Sequence, residues 1–382
     1  MTPTTQRRGT VWEVAALFLK LGTISFGGPA AHIALMDAEI VRQRQWLCRD
    51  DFMDLVAVTN LVPGPNVVEM AMHIGYVRAG WAGFLAGGAA FILPATLISA
   101  ALAWFYVAYG ALPPIQALFA GITPVIIAII LNATYKLGRT AIKDWKLALL
   151  TLICAAAALL GVNQALILPA AGLVGLLLYA PGVLRGAPII IIGALPGLAT
   201  VAPAGAAPNR LLELAWFFFK VGALLFGTGM VFFAFVQRDL VQTLGWLTQS
   251  QLVDAIAVGQ MTPGPILSSA TFIGFLVAGW PGALIATVAV FFPSFLIMIV
   301  VGAYLPRLRR WPAVQAILKG VSAAVVALIA VVAVNLIRSS ITDVSAALIG
   351  LAALILLLRF KAQPWQLVMG GAAFGLLRLL AA

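Results

Sequence analysis

The chain is 382 residues long, with 63% apolar side chains, only 9% charged ones and a formal net charge of +11. A soluble domain carries roughly 25% charged residues, so this composition excludes one and points to an all-α, polytopic membrane helix bundle. Cys48 and Cys154 lie far apart with no histidine at ligand spacing, so no disulfide framework, metal site or cofactor is expected, and no basic run interleaved with aromatics points to nucleic acid.

The amino end, MTPTTQRRGT, has no small-residue cleavage signature; it reads as retained, with Arg7 and Arg8 marking a cytoplasmic start. The first apolar segment, roughly 11–31, carries Lys20 and closes on Phe26-Gly27-Gly28-Pro29, with His32 just beyond. An ammonium at that depth either faces a bundle interior and marks a substrate path, or snorkels to an end. The polar stretch DAEIVRQRQWLCRDD, Asp37 to Asp51, reads as an interfacial helix.

The second segment, roughly 52–78, holds Asp54, Asn60, Glu69 and His73 around LVPGPNVVEM. Proline cannot donate to a helix ladder, so Pro63-Gly64-Pro65 opens it in mid-segment. Freed backbone groups are tolerated at membrane depth only against protein or a water-filled cavity, and a half-helix restarting at Asn66, Val67 and Val68 would turn N–H groups toward an anion. The alternative is a kink that shapes packing. Segments at roughly 80–107 and 115–137 follow, then shorter apolar stretches near 146–161, 163–180 and 187–203.

The chain then repeats itself. Trp12 to Gly28 overlies Leu212 to Thr228 without a gap, matching Lys20 with Lys220 and Phe26-Gly27 with Phe226-Gly227. The register carries Asp54 onto Asp254 and the first Pro-Gly-Pro onto Pro263-Gly264-Pro265, and after one deletion Pro94 meets Pro293. Second-copy segments fall near 212–235, 252–278, 279–304 and 314–337, with shorter ones near 341–358 and 365–381. Residues 1–205 therefore read as one transporter repeat with extra spans, and 206–382 as the second. Lys136, Arg139, Lys143 and Lys146 follow the first copy's fourth segment, whereas Arg307, Arg309 and Arg310 precede the second copy's fourth. Equivalent loops thus lie on opposite sides, which predicts an inverted repeat of roughly thirteen spans with the carboxyl end outside.

Two duplicated helix breaks nominate an oxyanion site: Lys20, Lys220, Gly27, Gly28, Asn60, Pro63, Gly64, Pro65 and Asn66 from the first copy and its lysine partner, then Gln260, Thr262, Pro263, Gly264, Pro265 and Ser268. For proton coupling the candidates are Asp54, Asp254 and Glu69, with His32 and His73 either relaying protons or lining the path.

FGGPAAHIALMDAEIVRQRQWL with VPGPN, and KVGALLFGTGMVFF with MTPGP, resemble the chromate ion transporter family over both halves. The resemblance implies a multi-pass protein of the bacterial inner membrane that exports chromate with the proton gradient, sulfate being a close analogue. From the residues alone the reading is an oxyanion carrier, with sulfate uptake or exchange as the rival. A homo-oligomer is compatible with it. A membrane-embedded hydrolase finds no G-x-S-x-G or H-E-x-x-H motif, so no enzyme is expected.

Overall fold

The computed structural model describes residues 9–59, 63–182, 210–225, 229–301, 311–341 and 343–381, and every regular element among them is helical. Asn60, the apolar stretch at 187–203, Arg7, Arg8 and the Arg307, Arg309 and Arg310 loop lie outside the described residues. In the first half the elements are α1 (Val11–Ile24), α2 (Pro29–Met36, prolonged by π-helical turns over Asp37–Gln43), α3 (Arg49–Thr59), α4 (Asn66–Tyr109), α5 (Pro113–Ala141), α6 (Trp145–Leu159) and α7 (Gln164–Tyr179). The second half repeats them as α8 (Arg210–Leu224), α9 (Val231–Phe235, with π-helical turns over Val236–Thr243), α10 (Gln249–Met261), α11 (Ser269–Val301), α12 (Pro312–Ser340), α13 (Val344–Arg359) and α14 (Pro364–Ala381).

The segments expected to cross at 11–31 and 52–78 instead fold back on themselves. The Gly9 N–H donates to the Arg78 carbonyl at 3.0 Å, Arg78 pairs with Glu13 at 3.2 Å, and its guanidinium lies 5.1 Å over the Trp46 ring. The start of α1, the end of the π-helical turns and residue 78 of α4 therefore share one end of the molecule. The chain between them makes two hairpins, whose tips are the glycine-proline breaks. In the second half Arg210 lies 5.0 Å over Trp246, bringing the start of α8 back beside the end of its own π-helical turns. Glycine and proline supply the reversal because neither sustains a helix interior.

α4 reverses again at Ala79 and Gly80, where φ is −138° and +64°, so its limbs run antiparallel and in close contact. A Cβ on Gly75 would lie 2.1 Å from the Gly83 carbonyl oxygen, which is the small-residue packing that lets backbones meet where no water drives association. α11 does the same at Ala278 and Gly279. The second limb of α4 leaves the Arg78 end and carries Tyr106 to the second half, where its hydroxyl donates to Asp254 of α10 at 2.7 Å and its ring meets Phe272 of α11 at 5.4 Å.

The halves are interlocked. α5 packs on α13 and α14 of the other half, and α12 packs on α6 and α7. Gly121 meets the backbone of Gly371 and Gly375, while Gly320 meets that of Ala171 and Gly175. Such reciprocity, each copy contacting the other through equivalent residues, marks two-fold pseudosymmetry. Each half's paired short helices also start alike: Asp144 accepts from the Leu147 N–H at 2.9 Å, and Asp343 from the Ala346 N–H at 2.6 Å. Both carboxyls are held below their ordinary value, Asp144 first by the Tyr179 hydroxyl and Asp343 first by the Ala346 N–H.

Among the described residues, four helices are long and apolar enough to cross a membrane, namely α4, α5, the run ending in α11, and α12. With the remaining apolar helices they make this a multi-pass membrane protein.

Candidate functional site

The hairpin tips of both halves converge. The Gly64 N–H donates to the Leu225 carbonyl at 2.7 Å, and the equivalent Gly264 N–H donates to the Ser25 carbonyl at 2.9 Å. Each Pro-Gly-Pro break is thus latched to the residue that follows the other copy's first helix; Phe226, Gly227 and Thr228 lie outside the described residues. Gly64 at φ +146° and Gly264 at φ +94° hold backbone angles that a side chain disfavours.

The surroundings of the two breaks differ. A Cβ on Gly64 would meet Glu69 Oε1 at 2.2 Å and Ser294 Oγ at 2.4 Å. A Cβ on Gly264 would meet only the Ala95 methyl at 3.0 Å and backbone oxygens beyond 3.3 Å. Gly64→Ala is therefore expected to lower the melting temperature well beyond Gly28→Ala, whose added Cβ has no neighbour within 4 Å although φ is +80°. Thermal unfolding of the two purified variants checks this; equal losses would show that crowding at Gly64 is relieved at no cost.

Polar groups gather near the breaks. Asn66 is buried, Thr262 Oγ1 lies 3.2 Å from Ser268 Oγ, and Ser269 donates to the Ile266 carbonyl. Gln260 approaches the Met230 sulfur at 4.0 Å. Two of the N–H groups expected to face an anion are already used: Val68 donates to the Pro65 carbonyl at 2.8 Å and Ser268 to the Pro265 carbonyl at 3.0 Å, because each first turn closes on its own proline. Gly27 sits against Gln363 at the head of α14, whereas Gly28 is open.

Neither lysine is a lone charge. Lys20 pairs with Glu39, which also accepts from Arg44 at 3.4 Å. Lys220 pairs with Asp239 at 2.7 Å, with the Phe217 ring 5.6 Å from its ammonium. The copies diverge in exposure: the Lys20 side chain is 52% exposed and the Lys220 side chain 2%. They diverge in charge as well, since Leu244 stands where the first copy has Arg44. Two cations share one acid in the first half; in the second a single pair is sealed.

The acids separate too. Asp54 is exposed on α3, whereas Asp254 is buried against Tyr106. Glu69 is fully buried. His32 places Nε2 3.0 Å from the Ser25 carbonyl and its ring against Phe91, and His73 lies one turn beyond Glu69 on α4. A groove of about 390 Å³ between α5, α6 and α12, beside Lys143 and Lys319, includes no break residue.

Glu39, Asp239, Arg44, Ser294 and Tyr106 are not among the residues the sequence nominates for the site. Each Lys–acid pair spans 19 residues in both copies, a spacing that carries the signal for the first two. Ser294 and Tyr106 lie in parts of the chain distant from either break, and only the tertiary fold delivers them.

A family model described as chromate transporter matches residues 12–176 and again 212–376. The chain is 36% identical over 349 residues to the probable chromate transport protein of Synechococcus elongatus, covering 90% of this chain and 88% of the relative. It is 34% identical over 377 residues to the chromate transport protein of Cupriavidus metallidurans, with 95% and 92% covered, and 31% identical over 353 residues to that of Pseudomonas aeruginosa, with 89% and 84% covered. No solved structure matches it.

Proposed function

Because the chain belongs to the chromate transporter family, we propose that it exports chromate across a bacterial inner membrane, the anion passing where each Pro-Gly-Pro break meets the end of the other half's first helix. The observation that carries this reading is the reciprocal latch of Gly64 on Leu225 and Gly264 on Ser25, beside a first-half cluster in which Lys20 and Arg44 share one acid. Alternating access needs a contact between halves that opens and recloses. Two backbone hydrogen bonds between hairpin tips can be exchanged at small net cost.

In this reading the hairpins of the two halves enter from opposite membrane faces, with the amino end cytoplasmic and the repeats divided near residue 205. The path of α4 supports it, since that helix leaves the Arg78 end of the first half and reaches the Asp254 and Phe272 hairpin of the second. The exposed Lys20 and Arg44 meet the incoming dianion, which competes with Glu39 for them; a dianion draws on both cations at once. Asn66 and Gln260 supply amide donors along the path, the Thr262 and Ser268 hydroxyls, bonded to Val258 and to each other, line it, and the closed Lys220–Asp239 pair is the second copy's counterpart of the Lys20 site.

The proton gradient drives export in this scheme, and sulfate, a tetrahedral dianion of similar size, competes. Chromate flux into everted membrane vesicles, with and without a pH gradient and with sulfate present, tests it. Gradient-dependent uptake inhibited by sulfate is expected. Sulfate flux with no chromate flux would favour the rival reading, a sulfate uptake or exchange carrier.

A further inference from the structure

We propose that Glu69, Ser294 and the Pro63–Pro65 break form a binding site for one small monovalent cation, a proton or Na⁺, and that this single site couples anion movement to a cation gradient. The inference rests on the carrier reading above and adds the site, its chemistry and its restriction to one half.

Glu69 has no exposed surface, and neither of its carboxylate oxygens has a hydrogen-bond partner. Ser294 Oγ is buried and unpartnered as well. Both groups aim at the same spot, because a Cβ on Gly64 would lie 2.2 Å from Glu69 Oε1 and 2.4 Å from Ser294 Oγ. Two oxygens without hydrogen-bond partners, Glu69 Oε1 and Ser294 Oγ, meet beside an opened backbone, where carriers place coupling cations. A buried carboxylate with no counter-charge is among the costliest arrangements a fold can hold.

Among the described residues, no side chain on the surrounding elements supplies that charge. On α1, Lys20 is committed to Glu39 and Glu13 to Arg78, and on α8 Lys220 is committed to Asp239. On α2, His32 engages the Ser25 carbonyl, while α11 carries no ionisable residue along its whole length. α3 carries Arg49, which pairs with Asp37, and the acids Asp50, Asp51 and Asp54; α10 carries Asp254 on Tyr106, α8 also carries Glu213 and Arg210 over Trp246, and His73 stands one turn along the same helix as Glu69. The counter-charge for Glu69 therefore comes from solution.

The two-fold frame sharpens this. The equivalent of Glu69 in the second copy is Ser269, which donates to the Ile266 carbonyl, and the equivalent of Ser294 in the first copy is Ala95. A residue required only to shape the break would recur at both breaks. Glu69 occurs at one, next to the Gly64 latch that must part for the path to open. A proton taken from water on one side forms the carboxylic acid O–H with a Glu69 oxygen and returns to water on the other side when the latch opens. Na⁺ would bind and leave as the intact ion.

The test uses the parent protein, Glu69→Gln and Ser294→Ala, each reconstituted in liposomes with sulfate or chromate as the anion. Three arms are read: anion exchange without a cation gradient, accumulation driven by a pH gradient without Na⁺, and accumulation driven by Na⁺ at equal pH. The parent should accumulate anion in one driven arm, which identifies the cation. Glu69→Gln should lose driven accumulation by about tenfold or more relative to its own exchange rate. Ser294→Ala should shift the driving cation concentration needed for half-maximal rate by several-fold with the anion KM unchanged, which a packing role would not produce. Driven accumulation in Glu69→Gln equal to the parent's overturns the proposal, as does a parent that exchanges anions yet answers neither gradient. A parent that moves no anion at all defeats the carrier reading instead. In that event thermal stability in detergent decides the site: the parent's melting temperature should rise with the bound cation and that of Glu69→Gln should not, an equal response overturning the proposal. If Glu69→Gln does not fold, Ser294→Ala decides in its place, and an unchanged half-maximal cation concentration overturns the proposal.

Discussion

Lys220→Ala is expected to destabilise the protein by about 3–5 kcal/mol, because it strands the Asp239 carboxylate in a site where both partners are almost completely buried. The ammonium also sits over the Phe217 ring, and that contact disappears with it. Lys20→Ala removes the equivalent cation from an open site in which Arg44 still pairs with Glu39, so its stability cost should be about 1 kcal/mol or less. The two substitutions should therefore fail differently. Lys220→Ala loses folded protein, and restoring neutrality with Lys220→Ala/Asp239→Ala should recover much of it. Lys20→Ala keeps its melting temperature and loses anion flux, with Lys20→Arg rescuing only in part, since a planar fork replaces a compact ammonium. Thermal unfolding alongside chromate or sulfate flux separates the outcomes. Normal flux from well-folded Lys20→Ala would show that this lysine only reaches for solvent, and a stable Lys220→Ala would show that Asp239 finds water.

Replacing Pro63-Gly64-Pro65 with three alanines should abolish transport and also lower stability, by roughly 2–5 kcal/mol. Local propensity taken alone favours the alanines, which would close an interrupted ladder and leave a protein at least as stable as the parent. The tertiary structure reverses that expectation. The break is the tip of a hairpin, so a continuous helix through it would carry α4 away from Arg78's contacts with Gly9 and Glu13. A Cβ at residue 64 must also displace Glu69 and Ser294. The same change at Pro263-Gly264-Pro265 should be milder, because Gly264 faces the Ala95 methyl at 3.0 Å instead of two buried oxygens. Flux and melting temperature of both triple variants check the order. A first-break variant as stable as the parent that still transports would remove the break from the anion path.

The duplication itself was legible in the sequence because glycine, proline and tryptophan are fixed by backbone geometry and recur in register. Pro63-Gly64-Pro65 and Pro263-Gly264-Pro265 announce two breaks, and the boundary between the segments at 52–78 and 80–107 falls where the structure reverses, at Ala79 and Gly80. Composition alone set the solvent: an apolar chain with so few charges must satisfy its backbone in helices.

What the sequence could not show is where a broken segment goes next. An apolar run has the same composition whether it crosses the bilayer or turns back, so 11–31 and 52–78 read as crossings until Glu13, Trp46 and Arg78 are seen together. Partnership was equally hidden. Lys20 and Lys220 align residue for residue, yet packing around Phe217 seals one while the other stays open, and Leu244 in place of Arg44 changes the charge balance. The meeting of Glu69 with Ser294, and of Tyr106 with Asp254, depends on one half folding against the other. The sequence by itself therefore determined the helical membrane class, the repeat and the places where helices break, since those follow from local backbone chemistry and solvent. Only the tertiary structure decided which tips meet, which charges are neutralised and which carboxyl is left without a partner, because those depend on distances between residues far apart in the chain.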